Sequence, residues 1–216
     1  MNPYPYLILS LCLLPYPFFL LAAEQPNIIY ILADDMGYGD VAANNPNCKF
    51  PTPFLDRLAE EGMRFSDAHT NSSVCTPTRY GILTGRYSWR TRLKGGVLDG
   101  AAGPLIASDR TTVATFLKKQ GYNTACVGKW HLGMSWPTKD GKKPIRSRGD
   151  NIDFTQPIAN GPNDVGFDYY YGISASLNMP PHAYIENRMI DADDLVFAED
   201  SKDIKALGLV RAKEGW

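Results

Sequence analysis

The chain has 216 residues, of which 44% are hydrophobic and 21% are charged, and its formal net charge is −1. These values are typical of a globular protein, and they exclude a strongly basic nucleic-acid-binding protein and a disordered charged tail. We therefore expect a folded chain with no nucleic-acid partner.

The first 23 residues carry no charged side chain and are rich in leucine, which predicts a secretory signal peptide cleaved after Ala23. Two features depart from the usual signal: no basic residue precedes the apolar run, and prolines interrupt it (Pro3, Pro5, Pro15 and Pro17). A membrane-spanning helix is the alternative, which the prolines and the short apolar runs disfavour. We expect an exported protein (periplasmic, extracellular or lysosomal, depending on the host) without a stable membrane anchor.

Two adjacent carboxylates follow the first apolar run of the mature chain. Residues 27–33 are apolar and β-branched without polar alternation, which predicts a strand buried on both faces of a parallel sheet. Asp34 and Asp35 come directly after it, where ligands bind in open α/β sheets, and carboxylate oxygens suit Ca²⁺ or Mg²⁺. The alternative is that these side chains cap a turn or a helix. Asp40 is expected to be a turn residue.

Residues 73–85 place one cysteine at the start of a predicted helix. Pro77 suits the first helical turn, where its missing N–H costs nothing. Cys75 would then lie near the positive end of the helix dipole, with the cation of Arg79 four residues on. This pattern indicates an activated or modified sulfur beside an anion-binding site.

A second predicted strand, residues 122–127, leads to another group of polar side chains. Gly128 allows a tight turn at its end, after which Lys129 and His131 emerge together. A lysine and a histidine with this spacing are more often surface residues than catalysts, so the spacing alone makes them only candidates.

The remaining pattern alternates between strands and helices. A helix is predicted from Pro53, with Thr52 as its N-cap, to Gly62, followed by a short strand over residues 63–68. Another helix is predicted over residues 108–120, with Val113, Phe116 and Leu117 facing inward. This order predicts an α/β fold with a mostly parallel sheet between helices.

Residues 139–161 are predicted to form an irregular insertion. Five basic side chains lie between Lys139 and Arg148. They are typical of a solvated loop, but a substrate-facing insertion that attracts a polyanion is the alternative. Farther on, residues 166–172 predict an aromatic strand or turn, and residues 191–194 predict a surface turn. His182 is expected to lie near the pocket that the candidate site residues would form.

Removal of Cys12 with the signal peptide leaves Cys48, Cys75 and Cys126. An odd number of cysteines in an exported protein suggests a reactive or modified thiol. Cys126 is expected to be a small buried hydrophobic residue, and a Cys48–Cys126 disulfide stays open. The sequon at Asn71 is expected to be unoccupied because it lies close to the pocket.

Three segments resemble, in the same order, the signatures of the type I, formylglycine-dependent sulfatase family, which is arylsulfatase-like: residues 34–35, 73–85 and 121–131. The resemblance implies that a formylglycine-generating enzyme oxidises Cys75 to an aldehyde, whose hydrate is the nucleophile toward a sulfate ester. It also implies that Asp34, Asp35 and the modified Cys75 hold Ca²⁺, or alternatively Mg²⁺.

The same resemblance assigns the charges around the sulfate. Arg79 and Lys129 would stabilise the charged nucleophile and the sulfate, and His131 would transfer a proton on the hydrate. A related formylglycine phosphodiesterase or phosphonate hydrolase remains an alternative within the superfamily.

The implied fold is the alkaline-phosphatase-like fold, and the resemblance covers roughly residues 27–172. Residues 24–216 would then be the amino-terminal portion of a catalytic domain, because a complete family member adds a metal-binding Asp-Asn pair, a second histidine and lysine, and a small carboxy-terminal subdomain. We expect this stretch alone to be poorly soluble and inactive, so a catalytically silent fragment is the alternative from outside enzymes.

Overall fold

A computed structural model describes residues 25–145 and 149–192. The chain divides into two compact units, residues 1–52 and residues 53–216. The predicted signal peptide, residues 1–23, lies outside the described residues, as do Arg146 and Arg148 of the basic stretch and the last two residues of the predicted turn at 191–194. No helix within the described ranges is long and apolar enough to cross a membrane.

The described part of the first unit is an extended segment followed by turns. Residues 25–33 form no strand, and the side chains of Ile29 and Ile31 are 85% and 83% exposed. The prediction of a buried strand is therefore wrong for the described structure, because a strand needs a neighbour for its ladder and none pairs with this segment. A short 3₁₀ turn follows at Tyr38–Asp40, where Asp40 accepts a hydrogen bond from the Gly37 N–H (2.8 Å), which confirms Asp40 as a turn residue.

The described part of the second unit contains three α-helices: α1 at Pro53–Glu61, α2 at Cys75–Thr84 and α3 at Val113–Lys119. Helix α1 begins at the predicted proline and ends just before Gly62. Its predicted apolar face is exposed, however, with Phe54 at 77% and Leu58 at 65%. No strand is found over residues 63–68.

Helix α3 is shorter than predicted because Thr112 ends the preceding loop as its N-cap. The Thr112 hydroxyl accepts from the Thr115 N–H (3.1 Å), and the Thr115 hydroxyl accepts from the Thr112 N–H (2.8 Å). The Thr112 hydroxyl also donates to the Val165 carbonyl (2.6 Å). Because this side of the helix faces inward, Ala114 is buried while Val113 and Phe116 are exposed, opposite to the prediction for those two residues.

Four strands form one mixed sheet: β1 at Ala125–Lys129, β2 at Tyr169–Ile173, β3 at Tyr184–Glu186 and β4 at Met189–Ile190. The order in the sheet is the order in the chain. Strands β1 and β2 are parallel, whereas β2–β3 and β3–β4 are antiparallel. The strand predicted at 122–127 is found at Ala125–Lys129, so Gly128 lies inside the strand and not in a turn after it, and Val127 is 75% exposed where burial was expected. The strand predicted within 166–172 is confirmed as β2, but parallel pairing is limited to β1 and β2 among the described residues.

The core of the second unit lies against the inner face of this sheet. Trp130 contacts Phe167 and Tyr170 edge to face, with ring centroids 6.4 Å apart in both pairs. Strands β1 and β2 approach closely at two glycines, since a Cβ on Gly172 would lie 1.8 Å from the Gly128 carbonyl oxygen. This close approach aligns the carboxyl ends of the two strands.

The stretch predicted as an irregular insertion is partly built into the core. Isolated bridges join Ser135 to Ala159 and Thr138 to Ile152. Ile152 is fully buried, and its neighbours Ile158 and Phe154 also pack on the core. The described lysines of this stretch are exposed: Lys139, Lys142 and Lys143. The prediction of a solvated loop therefore holds for the part that carries these lysines and not for the rest of the stretch.

One carboxylate links α3 to the start of both central strands, and we expect it to make stability depend on pH. Asp168 accepts hydrogen bonds from the Lys118 ammonium and from the N–H (2.9 Å) and hydroxyl (3.0 Å) of Thr124. These bonds lower its pKa from 3.8 to about 2. Because the folded pKa is depressed, the stabilisation is complete above about pH 4 and is lost as the pH falls toward 2.

Asp168→Asn should therefore lower Tm near pH 7, and the difference from wild type should shrink between pH 4 and pH 2 in thermal melts. Asp109→Asn is the matched control, because Asp109 lies exposed in a turn at residues 108–109. A Tm difference for Asp168→Asn that does not change with pH would contradict the linkage.

Candidate active site

The amino end of α2 presents Cys75. The N-cap, Val74, is extended and offers no side-chain hydrogen bond, Cys75 is the first helical residue, and Pro77 is buried in the first turn. The helix ends at Gly85, whose left-handed backbone (φ 65°) no other residue type adopts as easily. The predicted position of Cys75 is confirmed. The partial positive charge of this helix end is not offset by a capping side chain.

The loop before α2 holds its first turn in place. Asn71 donates to the Pro77 carbonyl (2.7 Å), and the Thr78 hydroxyl donates to the Ser72 carbonyl (2.8 Å). The Asn71 amide also lies over Gly81, where a Cβ would be 2.2 Å from its nitrogen. A glycan on Asn71 would displace this amide, which agrees with the expectation of an unoccupied sequon.

Arg79 joins α2 to the end of β1. Its Nη1 donates to the Lys129 carbonyl oxygen at 2.6 Å, across 50 positions of sequence. Two residues that the sequence predicted for one site are thus in direct contact. The contact uses the Lys129 backbone, so the Lys129 side chain is not consumed by it.

His131 lies just beyond β1 in a fully buried position. Its φ is 57°, a left-handed value that histidine, asparagine and aspartate adopt more often than other non-glycine residues, and its N–H donates to the Ser174 carbonyl (2.9 Å). Its Nε2 lies 2.7 Å from the Leu98 carbonyl oxygen. Because a carbonyl only accepts, Nε2 must carry the proton, and in the neutral ring Nδ1 carries the lone pair.

A backbone segment connects His131 with the start of α2. The Leu98 carbonyl meets the His131 ring, and the Leu98 N–H donates to the Thr76 hydroxyl (3.2 Å), which is fully buried beside Cys75. Sequence reasoning missed both Leu98 and Thr76. Leu98 acts through its backbone, so its side-chain type gives no signal.

Cys126 on β1 and Tyr170 on β2 are two groups of the sheet whose pKa values are raised. Burial raises the pKa of Cys126 to about 11, although the Arg79 charge opposes the shift. Burial also raises the pKa of Tyr170 well above 10. Both groups are neutral at ordinary pH. Cys126 is half-buried and packs against the core, which agrees with a small hydrophobic residue but not with full burial. Cys48, Cys75 and Cys126 are all free, so the Cys48–Cys126 disulfide is not formed.

His182 follows a segment that packs beside these contacts, since a Cβ on Gly100 would lie 2.2 Å from the Pro180 carbonyl oxygen. His182 is 7% exposed, and burial lowers its pKa from 6.5. Among the described residues, no hydrogen bond connects it with Cys75, Arg79 or His131.

The two predicted metal ligands belong to the first unit. Asp34 and Asp35 occupy an exposed bend, and Asp35 has a left-handed backbone (φ 60°). Left-handed non-glycine residues concentrate at functional sites, because the surrounding structure must hold their strain. Within residues 25–145 and 149–192, no group of three His, Cys, Asp or Glu side chains is arranged to hold a metal ion.

The sequence profile described as Sulfatase matches residues 26–206. The chain belongs to the sulfatase family. It is 39% identical over 165 residues to an N-acetylgalactosamine-6-O-sulfatase of Bacteroides thetaiotaomicron, a match that covers 76% of this chain and 30% of the relative. It is also 41% identical over 157 residues to mouse (Mus musculus) arylsulfatase G, covering 73% of this chain and 25% of that protein.

A solved sulfatase structure from work on glycosaminoglycan metabolism by Bacteroides thetaiotaomicron is similar as well. It superimposes with a TM-score of 0.69 at 37% identity, covering 80% of this chain and 33% of the other. This similarity confirms the predicted alkaline-phosphatase-like sulfatase fold. The chain spans about a quarter to a third of the length of these relatives.

Proposed function

We propose that this sulfatase hydrolyses a sulfate monoester through a formylglycine made from Cys75. The observation that carries the proposal is the Arg79–Lys129 hydrogen bond, which joins the Cys75 helix to the strand end that bears Lys129 and His131. In a member of the sulfatase family, this contact supports an anion site at this point, since it brings the Arg79 guanidinium to the backbone of Lys129.

The chain's own groups would bind and orient the sulfate. The uncapped start of α2 directs backbone N–H groups outward, a geometry that favours anions. Arg79 and Lys129 add positive charge where negative charge develops in the transition state. His131, with Nδ1 as the basic ring atom, would accept a proton.

Maturation of Cys75 requires a formylglycine-generating enzyme as a partner. The hydrated aldehyde supplies two hydroxyl groups, one for attack on sulfur and one whose deprotonation releases sulfate, an exit that a simple ester of serine or cysteine lacks.

We propose Asp34, Asp35 and the modified Cys75 as ligands of Ca²⁺, with Mg²⁺ as the second candidate. The donor chemistry fits, because adjacent carboxylates supply the hard oxygen atoms that both ions prefer. Their number is smaller than the roughly six to eight oxygens that Ca²⁺ takes, so further ligands are required. The bound ion would act as a Lewis acid toward sulfate oxygens.

The metal proposal predicts a specific loss for Asp35→Asn, since asparagine tolerates the left-handed backbone but removes the charge. Loss of a Lewis-acid interaction worth several kcal/mol should lower kcat/KM by roughly a thousandfold. Wild-type Tm should rise with added Ca²⁺, and the variant should lose that rise.

Asp40→Asn is the control for this prediction, because the Asp40 carboxylate is used in its own turn. The control should keep both the activity and the Ca²⁺-dependent rise in Tm. A normal Ca²⁺ response in Asp35→Asn would refute the assignment of Asp35 as a ligand.

The relatives favour a sulfated sugar as the substrate. One is named for a sulfated N-acetylgalactosamine, and a solved neighbour comes from work on glycosaminoglycan metabolism. We propose that the leaving group here is also a glycan hydroxyl.

Paired assays test the reaction class. The complete polypeptide, coexpressed with a formylglycine-generating enzyme, should hydrolyse an aryl sulfate much faster than an aryl phosphodiester. The reverse preference would favour a phosphodiesterase or phosphonate hydrolase of the same superfamily. Absence of turnover with both substrates, despite modified Cys75, would support the catalytically silent alternative.

A further inference from the structure

An exposed aromatic pair follows the carboxyl end of α2. The rings of Tyr87 and Trp89 stack with centroids 5.6 Å apart and planes within 16° of each other. Tyr87 is 51% exposed and Trp89 is 53% exposed. Ser88 between them is buried, and its carbonyl accepts from both the N–H (2.8 Å) and the hydroxyl (2.6 Å) of Thr91. The pair is therefore held on an ordered turn while half of its aromatic surface faces solvent.

Cationic side chains surround this pair. The Arg90 guanidinium lies 5.6 Å from the Trp89 ring centroid, and Lys94 donates to the Trp89 carbonyl (2.8 Å). Arg92 donates to the carbonyls of Gly103 and Pro104. All three cations are exposed, and within residues 25–145 and 149–192 none is paired with a carboxylate. Their charge is thus not neutralised by a neighbouring acid.

This surface is separate from the catalytic end of α2. The helix has ten residues, so its two ends are about 15 Å apart at 1.5 Å per residue. Cys75 lies at one end, and Tyr87 follows Gly85 at the other. A small sulfate ester bound at Cys75 would not reach the aromatic pair, whereas a polymer could contact both.

We propose that Tyr87, Trp89, Arg90, Arg92 and Lys94 form an accessory binding surface for a sulfated polysaccharide. Sugar rings would pack their C–H faces on the exposed aromatic rings, and sulfate groups would accept hydrogen bonds from the cations. The inference rests on the proposed sulfatase function only for the choice of a sulfated ligand. Single-stranded nucleic acid also binds aromatic and basic surfaces, but membership of the sulfatase family favours the sulfated ligand.

The test measures binding of chondroitin sulfate to the complete polypeptide over a series of salt concentrations, with desulfated chondroitin and single-stranded DNA as comparison ligands. Tyr87→Ala combined with Trp89→Ala, and separately Arg90→Gln, should each weaken binding roughly tenfold, as expected for anchor side chains at an interface. The Arg90 variant should also show a weaker salt dependence, whereas the aromatic variant should keep the wild-type dependence.

Lys142→Gln combined with Lys143→Gln is the matched control, because it removes exposed charge from a stretch without an aromatic stack. Trp89→Phe keeps a ring at the site and should retain most of the binding, which separates the proposal from a folding defect. Unchanged Tm in the Arg90 variant provides a second check.

Variants of the accessory surface and variants of the active site should have separate effects on binding and on hydrolysis. Both surface variants should hydrolyse an aryl sulfate at the wild-type rate, and Cys75→Ala should bind chondroitin sulfate normally while losing turnover. The proposal is overturned if the lysine control loses as much affinity as the surface variants. Equal binding of desulfated chondroitin, or equally tight binding of single-stranded DNA, would also overturn it.

Discussion

Cys75→Ala should abolish sulfate-ester hydrolysis while leaving the fold intact. Cys75 is partly exposed at the start of α2, and the first turn is held by bonds to other residues, so alanine there should change Tm little. Turnover should fall by roughly a millionfold, the scale found when a nucleophile is removed from a group of residues that act together. The measurement is kcat/KM for an aryl sulfate, with Tm recorded on the same sample.

The other cysteines supply the controls for this experiment. Cys126→Ala should remain active, since burial raises the Cys126 pKa to about 11 and leaves it as an inert thiol. Cys48→Ala should also remain active. Iodoacetamide separates formylglycine from thiol catalysis, because an aldehyde hydrate is not alkylated and a catalytic thiolate is.

Mass analysis of the peptide that contains Cys75 tests directly whether this residue has been converted to formylglycine. Active enzyme should carry the aldehyde at this position, and Cys75→Ser should be inactive unless the host contains a maturation enzyme that accepts serine. An active enzyme with only unmodified thiol at Cys75 would disprove the formylglycine proposal.

The parts of the site that could be predicted from the sequence are those in which the type of side chain and its spacing along the chain point to the same position. The Pro77 position and the cation four residues after Cys75 predicted the helix start, and the structure brings Arg79 to the Lys129 carbonyl. The Thr76–Leu98–His131 connection could not be predicted, because it depends on the backbone of a residue distant in sequence.

The errors in the fold have a common physical cause. The inward face of α3 was predicted from hydrophobicity, but the hydrogen bonds of Thr112 and the contact of Thr115 with Gly166 turn a different side toward the core. Residues 27–33 have the composition of a buried strand, yet strand formation depends on a partner that local sequence does not specify. In both cases the outcome depends on residues distant in sequence, which local hydrophobicity does not specify.

His131→Ala should impair both stability and catalysis, because the ring is fully buried and its Nε2 satisfies the Leu98 carbonyl. Its removal leaves a cavity and a buried acceptor without its donor, with a cost of about 2–4 kcal/mol in the free energy of unfolding. Alanine is also poorly suited to the left-handed backbone at φ 57°. The expected result is a clear decrease in Tm together with a loss of activity.

His131→Asn separates these two effects, since asparagine accepts the left-handed backbone but has no imidazole to accept a proton. Its Tm should lie above that of the alanine variant, while kcat/KM should still fall by about 10²–10⁴, the usual contribution of a positioned acid or base. The pH–rate profile of the asparagine variant should lose the limb that reports the base. If His131 instead has a purely structural role, activity should recover in step with Tm, and the pH profile of the asparagine variant should match that of wild type.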